Sequence, residues 1–166
     1  MNYMWRNYKM AKKMVFLISL LFFISCGQKS GEPQKDTFAE NAERHLPVVI
    51  DLMYPQSLHA KPEIAEKNTL YTDDSLHISS FIMEYQNALG VTSRDTFQYV
   101  FGLKKDASYY YLLSPKRNLY EEIMSVYKGT LSQPRYQNTD SIYRSMMLHG
   151  MAAYFCKANN GGQLQE

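Results

Sequence analysis

Chemistry with a short local signature is missing from this chain. It has no Walker loop, no Gly-rich dinucleotide turn, no His-Glu-x-x-His and no cysteine pair at zinc spacing. The nucleotide- and zinc-dependent classes that announce themselves by motif are thereby set aside. The four histidines, His45, His59, His77 and His149, form no ligand-like doublet; no metal and no other cofactor is expected. Cysteine is scarce, with Cys26 and Cys156 the only two. No apolar run approaches the roughly 20 residues that span a bilayer. The longest, Met14 to Ile24, is broken only by Ser19. Internal repeats and long low-complexity tracts are absent, and the first 25 residues hold no Asp or Glu.

Those 25 residues do hold Arg6, Lys9, Lys12 and Lys13, ahead of the short apolar run. A charged segment followed by such a run is the pattern of a secretory signal. It ends at Phe23-Ile24-Ser25-Cys26-Gly27, where a small residue directly precedes a cysteine. This junction resembles the lipobox of bacterial lipoproteins, with Phe23 in place of the usual Leu. The resemblance implies cleavage before Cys26, diacylglycerol on its thiol and a further palmitate-type acyl chain. Two or more chains anchor a protein stably where one does not. Gly27, rather than Asp, after the cysteine resembles outer-membrane lipoproteins, and the absence of a following acidic run implies a periplasm-facing domain. Met10 is an alternative start to Met1, since Met10-Ala11-Lys12-Lys13 makes a compact beginning.

Cleavage changes the charge. The whole chain carries +2, but removing residues 1–25 leaves 14 cationic against 16 anionic side chains, a balance of −2. The basic excess belongs to the signal, so nucleic acid is not an expected partner. Lipidation leaves Cys156 as the one free thiol, which rules out an internal disulfide framework. About 140 residues remain, enough for one domain with a core.

Residues 26–36, the lipidated cysteine and a polar stretch with Gly31 and Pro33, read as a tether. Its nine polar residues from Gly27 to Lys35 reach at most about 30 Å. A single domain is expected over 37–160, with 161–166 a tail. Thr37 and Glu40 have capping-box spacing, and Phe38, Ala42, Leu46, Val49 and Leu52 or Met53 follow helical spacing. Pro47 should kink or restart that helix. Strands are expected at Ile64–Tyr71, Leu76–Tyr85, Thr96–Leu103 and Tyr109–Leu113, joined by turns at Asp73-Asp74, Asn87-Ala88-Leu89-Gly90 and Lys104-Lys105-Asp106-Ala107. Ser114-Pro115 should open a helical turn. Asn118 and Glu121 should cap a helix from Tyr120 to Lys128 that stops at Gly129, and Asp140 should cap a last helix, Ser141–Ala158. The order predicts an α+β fold: an N-terminal helix, an antiparallel meander of about four strands, and helices packed on one face. In the last helix the core stripe is expected at Ile142, Met146 and Ala153. Tyr54-Pro55-Gln56-Ser57, Leu70-Tyr71, Asp74-Ser75-Leu76 and Asn87-Ala88-Leu89-Gly90 resemble small Bacteroidetes-type lipoproteins over residues 37–113. That resemblance carries no activity to transfer. A helix on a meander also resembles cystatin-like and NTF2-like folds, by analogy of fold alone.

Candidate sites are few. Cys156 and His149 share a helix face but stand about 10.5 Å apart along the axis, too far for a nucleophile and its base. Asp73 and Asp74 are expected to satisfy turn backbone, and Glu84 to face outward near a strand end. No catalytic residue is assigned. Lys104-Lys105 and Lys116-Arg117 are expected to gather at one end of the sheet. Tyrosine is plentiful, 14 in all with 12 outside the signal. Exposed phenol rings offer large contact area at little entropic cost, so Tyr99, Tyr109, Tyr110 and Tyr111 are the expected binding platform. The reading is a lipid-anchored envelope module, non-catalytic, held on a membrane through Cys26 and binding an envelope protein or glycan. Its rivals are an envelope hydrolase with a spatially assembled site, and an assembly or inhibitory factor acting through the last helix.

Overall fold

A computed structural model describes residues 37–54, 60–86 and 89–165, all within the unit Asp36–Glu166. The signal, Cys26 and the tether lie outside the described residues, as do Pro55 to His59 and Asn87-Ala88.

Helix α1 spans Phe38–Met53. Both halves of its capping box are made: the Glu40 amide donates to Thr37 Oγ1 (3.3 Å) and the Thr37 amide to Glu40 Oε2 (2.6 Å). Two of the four amides that a helix start leaves unpaired are thereby satisfied. Pro47 lies inside the helix, which continues without a restart. The loss of one backbone bond is outweighed by burial of Ala42, Leu46, Val49 and Ile50, spaced to lie on one side.

Four strands follow: β1 Ala60–Thr72, β2 Leu76–Gln86, β3 Thr92–Leu103 and β4 Tyr109–Pro115. Each pairs antiparallel with the next. Ser114 and Pro115 end β4 and do not open a helical turn. Helix α2, Leu119–Leu131, runs past Gly129. Its start is held by Asn118, whose side chain accepts from the Glu121 amide (3.2 Å), and by Gln98, whose Oε1 accepts from the Tyr120 amide (2.9 Å). A 3-10 turn at Pro134–Tyr136 leads to α3, Ser141–Ala158, capped by Asp140 as its sequence predicts.

The residues expected to form a tail instead build a fifth strand. Asn160 adopts φ 60° and the Gly161 amide returns to the Cys156 carbonyl at 2.6 Å. That reversal lays β5, Gly162–Leu164, antiparallel along Tyr109–Tyr111. Glycine is required just before it, because a Cβ on Gly161 would stand 2.5 Å from the Tyr111 carbonyl oxygen and 2.6 Å from that of Cys156. The sheet order is β1-β2-β3-β4-β5.

Helices cover both faces of this sheet, a correction to the one-sided arrangement expected. One face carries Phe81, Met83, Phe97, Tyr99, Phe101 and Tyr111 and packs under α1. The other carries Leu76, Ile78, Val100, Tyr110 and Leu112 and packs under α2 and α3. Strand alternation makes this arrangement necessary: β4 is apolar at every position from Tyr109 to Leu113, so both of its faces need a cover.

The core stripe of α3 is likewise not the expected one. Ile142 and Met146 are 71% and 51% exposed and Ala153 is half-buried, whereas Leu148, Ala152 and Cys156 are buried. Steps of four residues put these three on one side, and their small members let the helix approach the sheet. Ile142→Ala should therefore change stability by no more than about 0.5 kcal/mol. Leu148→Ala should cost about 2–5 kcal/mol. Urea titration of the two variants side by side checks the orientation, and the opposite ranking would refute it.

Candidate functional site

The tyrosine platform is absent from the surface. Tyr99, Tyr109, Tyr110 and Tyr111 are 0, 8, 4 and 6% exposed. Three of the hydroxyls are tied inward: Tyr99 donates to the Ala42 carbonyl (3.1 Å), Tyr109 accepts from Asn41 Nδ2 (2.9 Å), and Tyr110 donates to the His149 carbonyl (3.4 Å). These rings are core. The lysine cluster does not form either. Lys104 follows Leu103 at one end of β3, and Lys116 bonds Thr96 at the other end of the β3–β4 pair. Lys116 pairs with Asp95 (2.9 Å) and Arg117 with Glu122 (2.6 Å). Glu84 faces outward and meets Arg94 at 3.5 Å.

Cys156 is buried, and desolvation pushes its thiol up to about 12. It is not a nucleophile at neutral pH. His149 belongs to a different constellation. Its Nδ1 meets Ser75 Oγ at 2.9 Å and its Nε2 meets Asp73 Oδ2 at 2.8 Å. Tyr71 also donates to Asp73 Oδ2 (2.7 Å). Burial raises the Asp73 carboxyl, but the hydrogen bonds from Tyr71, His149 and the Ser75 amide outweigh it and hold it below the ordinary value.

A serine, a histidine and an aspartate in contact suggest acyl transfer, which also needs backbone N–H groups free to receive an oxyanion. The amides of Ser75 and Leu76, nearest the serine, both donate to Asp73 Oδ1 at 2.9 Å. They are spent on the turn. The arrangement is a clamp that fastens the β1–β2 turn to the middle of α3.

His77 is a second buried polar group. It is fully buried on the α1 side of β2, and neither ring nitrogen has a partner among the described residues. Desolvation lowers its pKa, with Glu43 opposing and Lys67 adding to the shift. The folded state thus holds His77 neutral, while the unfolded chain takes up a proton below about pH 6.5. Stability from this group is complete above that pH and drains away as pH falls. The urea midpoint of the wild type should drop between about pH 7 and 5 relative to that of His77→Leu. Parallel pH profiles of the two proteins would show that burial of His77 has no such effect.

An open surface does exist, on the helical layer. A hollow of about 430 Å³ lies between α2, the 3-10 turn and α3, with Ile123, Val126, Tyr136, Tyr143, Met147 and Tyr154 among its lining residues. No acid, lysine, arginine or histidine lines it. Val126, Tyr143 and Tyr154 are 57, 46 and 76% exposed. The hollow exists because α3 is apolar on more than one side. The sheet takes the side of Leu148, Ala152 and Cys156, and α2 is too short to cover the rest. Methionines adapt to irregular partners and tyrosines combine an apolar body with a polar tip. Its volume falls within the range of small-molecule sites.

Among the described residues no group of three or more His, Cys, Asp or Glu side chains is placed to hold a metal ion. The hollow offers shape and apolar contact, with three phenol hydroxyls for orientation. The sequence points to this surface only through the multi-sided apolar pattern of α3; Tyr136, Tyr143 and Tyr154 were not among the expected binding residues. No protein-family model matches the chain, and no curated protein or solved structure matches it significantly.

Proposed function

We propose that the protein is a lipid-anchored, non-catalytic binding module of the bacterial cell envelope, held on a membrane through lipid on Cys26, which captures its partner in the hollow between α2 and α3. The observation that carries the binding half is the hollow itself, apolar and free of ionised lining residues beside exposed Val126, Tyr143 and Tyr154. The anchor half is supported by the charged segment, the short apolar run and Ser25-Cys26. The two amides nearest the serine, those of Ser75 and Leu76, are held by Asp73, which favours binding over an envelope hydrolase. Placement of the hollow on α3 also suits an assembly or inhibitory factor acting through the last helix.

Two measurements test the halves separately. Cells fed a palmitate analogue should label the wild-type chain and not Cys26→Ala; an unlabelled wild type removes the anchor. A photo-crosslinking side chain placed at Val126 should trap a ligand in the intact envelope, while one at exposed Val48, on α1 across the sheet, should not. Equal yields from both positions would refute the hollow as the binding site.

A further inference from the structure

A second hollow, of about 410 Å³, adjoins the first. Tyr154 lines both. The second is bounded by the end of α3, β5 and the β3–β4 turn, and its charged lining residues are Lys104 and Lys157, with no acid among them. One flank of Tyr154 is therefore apolar and uncharged, and the other is cationic.

The cationic character is only partly consumed locally: Lys104 acts on Asp106 of its own turn, whose carboxylate is fastened by Ser108, and no acid lines the hollow. The Lys104 ammonium donates to Gln163 Oε1 at 2.8 Å, leaving two of its three donors. Lys157 is exposed in the last turn of α3. A helix C-terminus carries partial negative charge that would draw on such a lysine. Here the carbonyls of Phe155 and Cys156 already accept from the amides of Asn159 and Gly161.

We propose that the occupant is a small amphiphile: its apolar chain lies in the α2–α3 hollow, and its anionic head, a carboxylate or phosphate, lies across Tyr154 between Lys104 and Lys157. This rests on the binding reading above and deepens it. Charge complementarity selects the head, because both charged lining residues are cations. The apolar lining selects the tail: it contributes no charged side chain, and of the guanidiniums stacked on its rings, Arg117 on Phe155 and Arg135 on Tyr136, the first is already paired with Glu122. The Tyr154 ring, with apolar faces and a hydroxyl tip, suits the junction between the two parts.

The test uses the full chain in zwitterionic vesicles, photolabelled with diazirine-bearing palmitate or with the matching diazirine-bearing hexadecanol. Adducts are mapped by mass spectrometry. Palmitate should label α3 around Met147, Met151 and Tyr154. Met147→Arg should reduce that labelling by about tenfold or more. Joint replacement Lys104→Gln with Lys157→Gln should reduce it by about 3- to 10-fold, at an unchanged urea midpoint. The alcohol should label less and be indifferent to the lysine pair. Equal labelling by alcohol and acid, or no response to the lysine pair, overturns the anionic head. Displacement of the probe by inorganic phosphate alone means a free-anion site and overturns the amphiphile. Absence of both labels while the Val126 crosslinker traps a protein overturns the amphiphile and leaves the binding reading standing. Failure of label and crosslinker together removes both.

Discussion

Tyr99→Ala will cost the domain about 3–5 kcal/mol, the range for large aromatic truncations in cores. Tyr99 is fully buried in the middle of β3, with its ring 5.8 Å from Phe101 and 6.4 Å from His77. Its hydroxyl spans the gap to α1, donating to the Ala42 carbonyl at 3.1 Å. Truncation removes the contact area, leaves a cavity under α1 and deletes that bond. Tyr99→Phe isolates the bond, and should cost only about 0.5–1.5 kcal/mol. Since small domains hold about 5–15 kcal/mol in total, Tyr99→Ala could consume most of it. Urea unfolding followed by near-ultraviolet circular dichroism reads both variants. A loss under about 1 kcal/mol for Tyr99→Ala would return the ring to the surface and revive the idea of an aromatic platform.

Gly102→Val is the second large effect. Gly102 lies opposite Tyr110 in the β3–β4 register, and the Tyr110 ring lies across it. A Cβ at residue 102 would stand 2.0 Å from the ring carbon bearing the hydroxyl. The ring tip cannot swing away freely, because Tyr110 is buried in the cluster that α2 and α3 complete. Overpacking of this kind costs about 1–3 kcal/mol and sometimes more. The cause is specific, so the test is a double-mutant cycle. In a Tyr110→Ala background the same valine should cost much less, giving a coupling of about 1 kcal/mol or more. Additive losses would mean that Gly102 is needed for its backbone alone.

Local signals carried most of the chain. The Thr37–Glu40 box, the Asp140 cap and the extent of α3 follow from short-range hydrogen bonds that the sequence prints side by side. So do the strands, whose alternation is visible in Phe97, Tyr99 and Phe101 against Gln98. The two-sided cover was also legible, in the unbroken Tyr-Tyr-Tyr-Leu-Leu of β4, but tyrosine suits wet and dry positions alike, and the run reads equally as a surface. The orientation of α3 was not legible. With Ile142, Met146, Leu148, Met151 and Phe155 distributed around the helix, periodicity does not choose a face; packing against Tyr110 and Leu112 does. Strand β5 has three residues, too few for any period. The clamp joins Ser75 and Asp73 to a histidine 74 and 76 residues away, a separation that only the folded chain closes.

The outer strand β1 has a consequence for behaviour in a crowd. It is 13 residues long and, among the described residues, pairs on one side only, with β2. A long free edge is a template on which a second copy could add its own strand, the first step toward fibrils. This edge is a poor template. Its register with β2 slips at three places, and Pro62 contributes no amide hydrogen. Glu63, Glu66 and Lys67 are exposed along it, Glu66 reaching Arg94 and Lys67 reaching Glu43. An incoming strand would have to follow an irregular backbone and bring its own side chains against this row of charges. The same features that make β1 the least regular strand of the sheet should keep neighbouring molecules separate at high density.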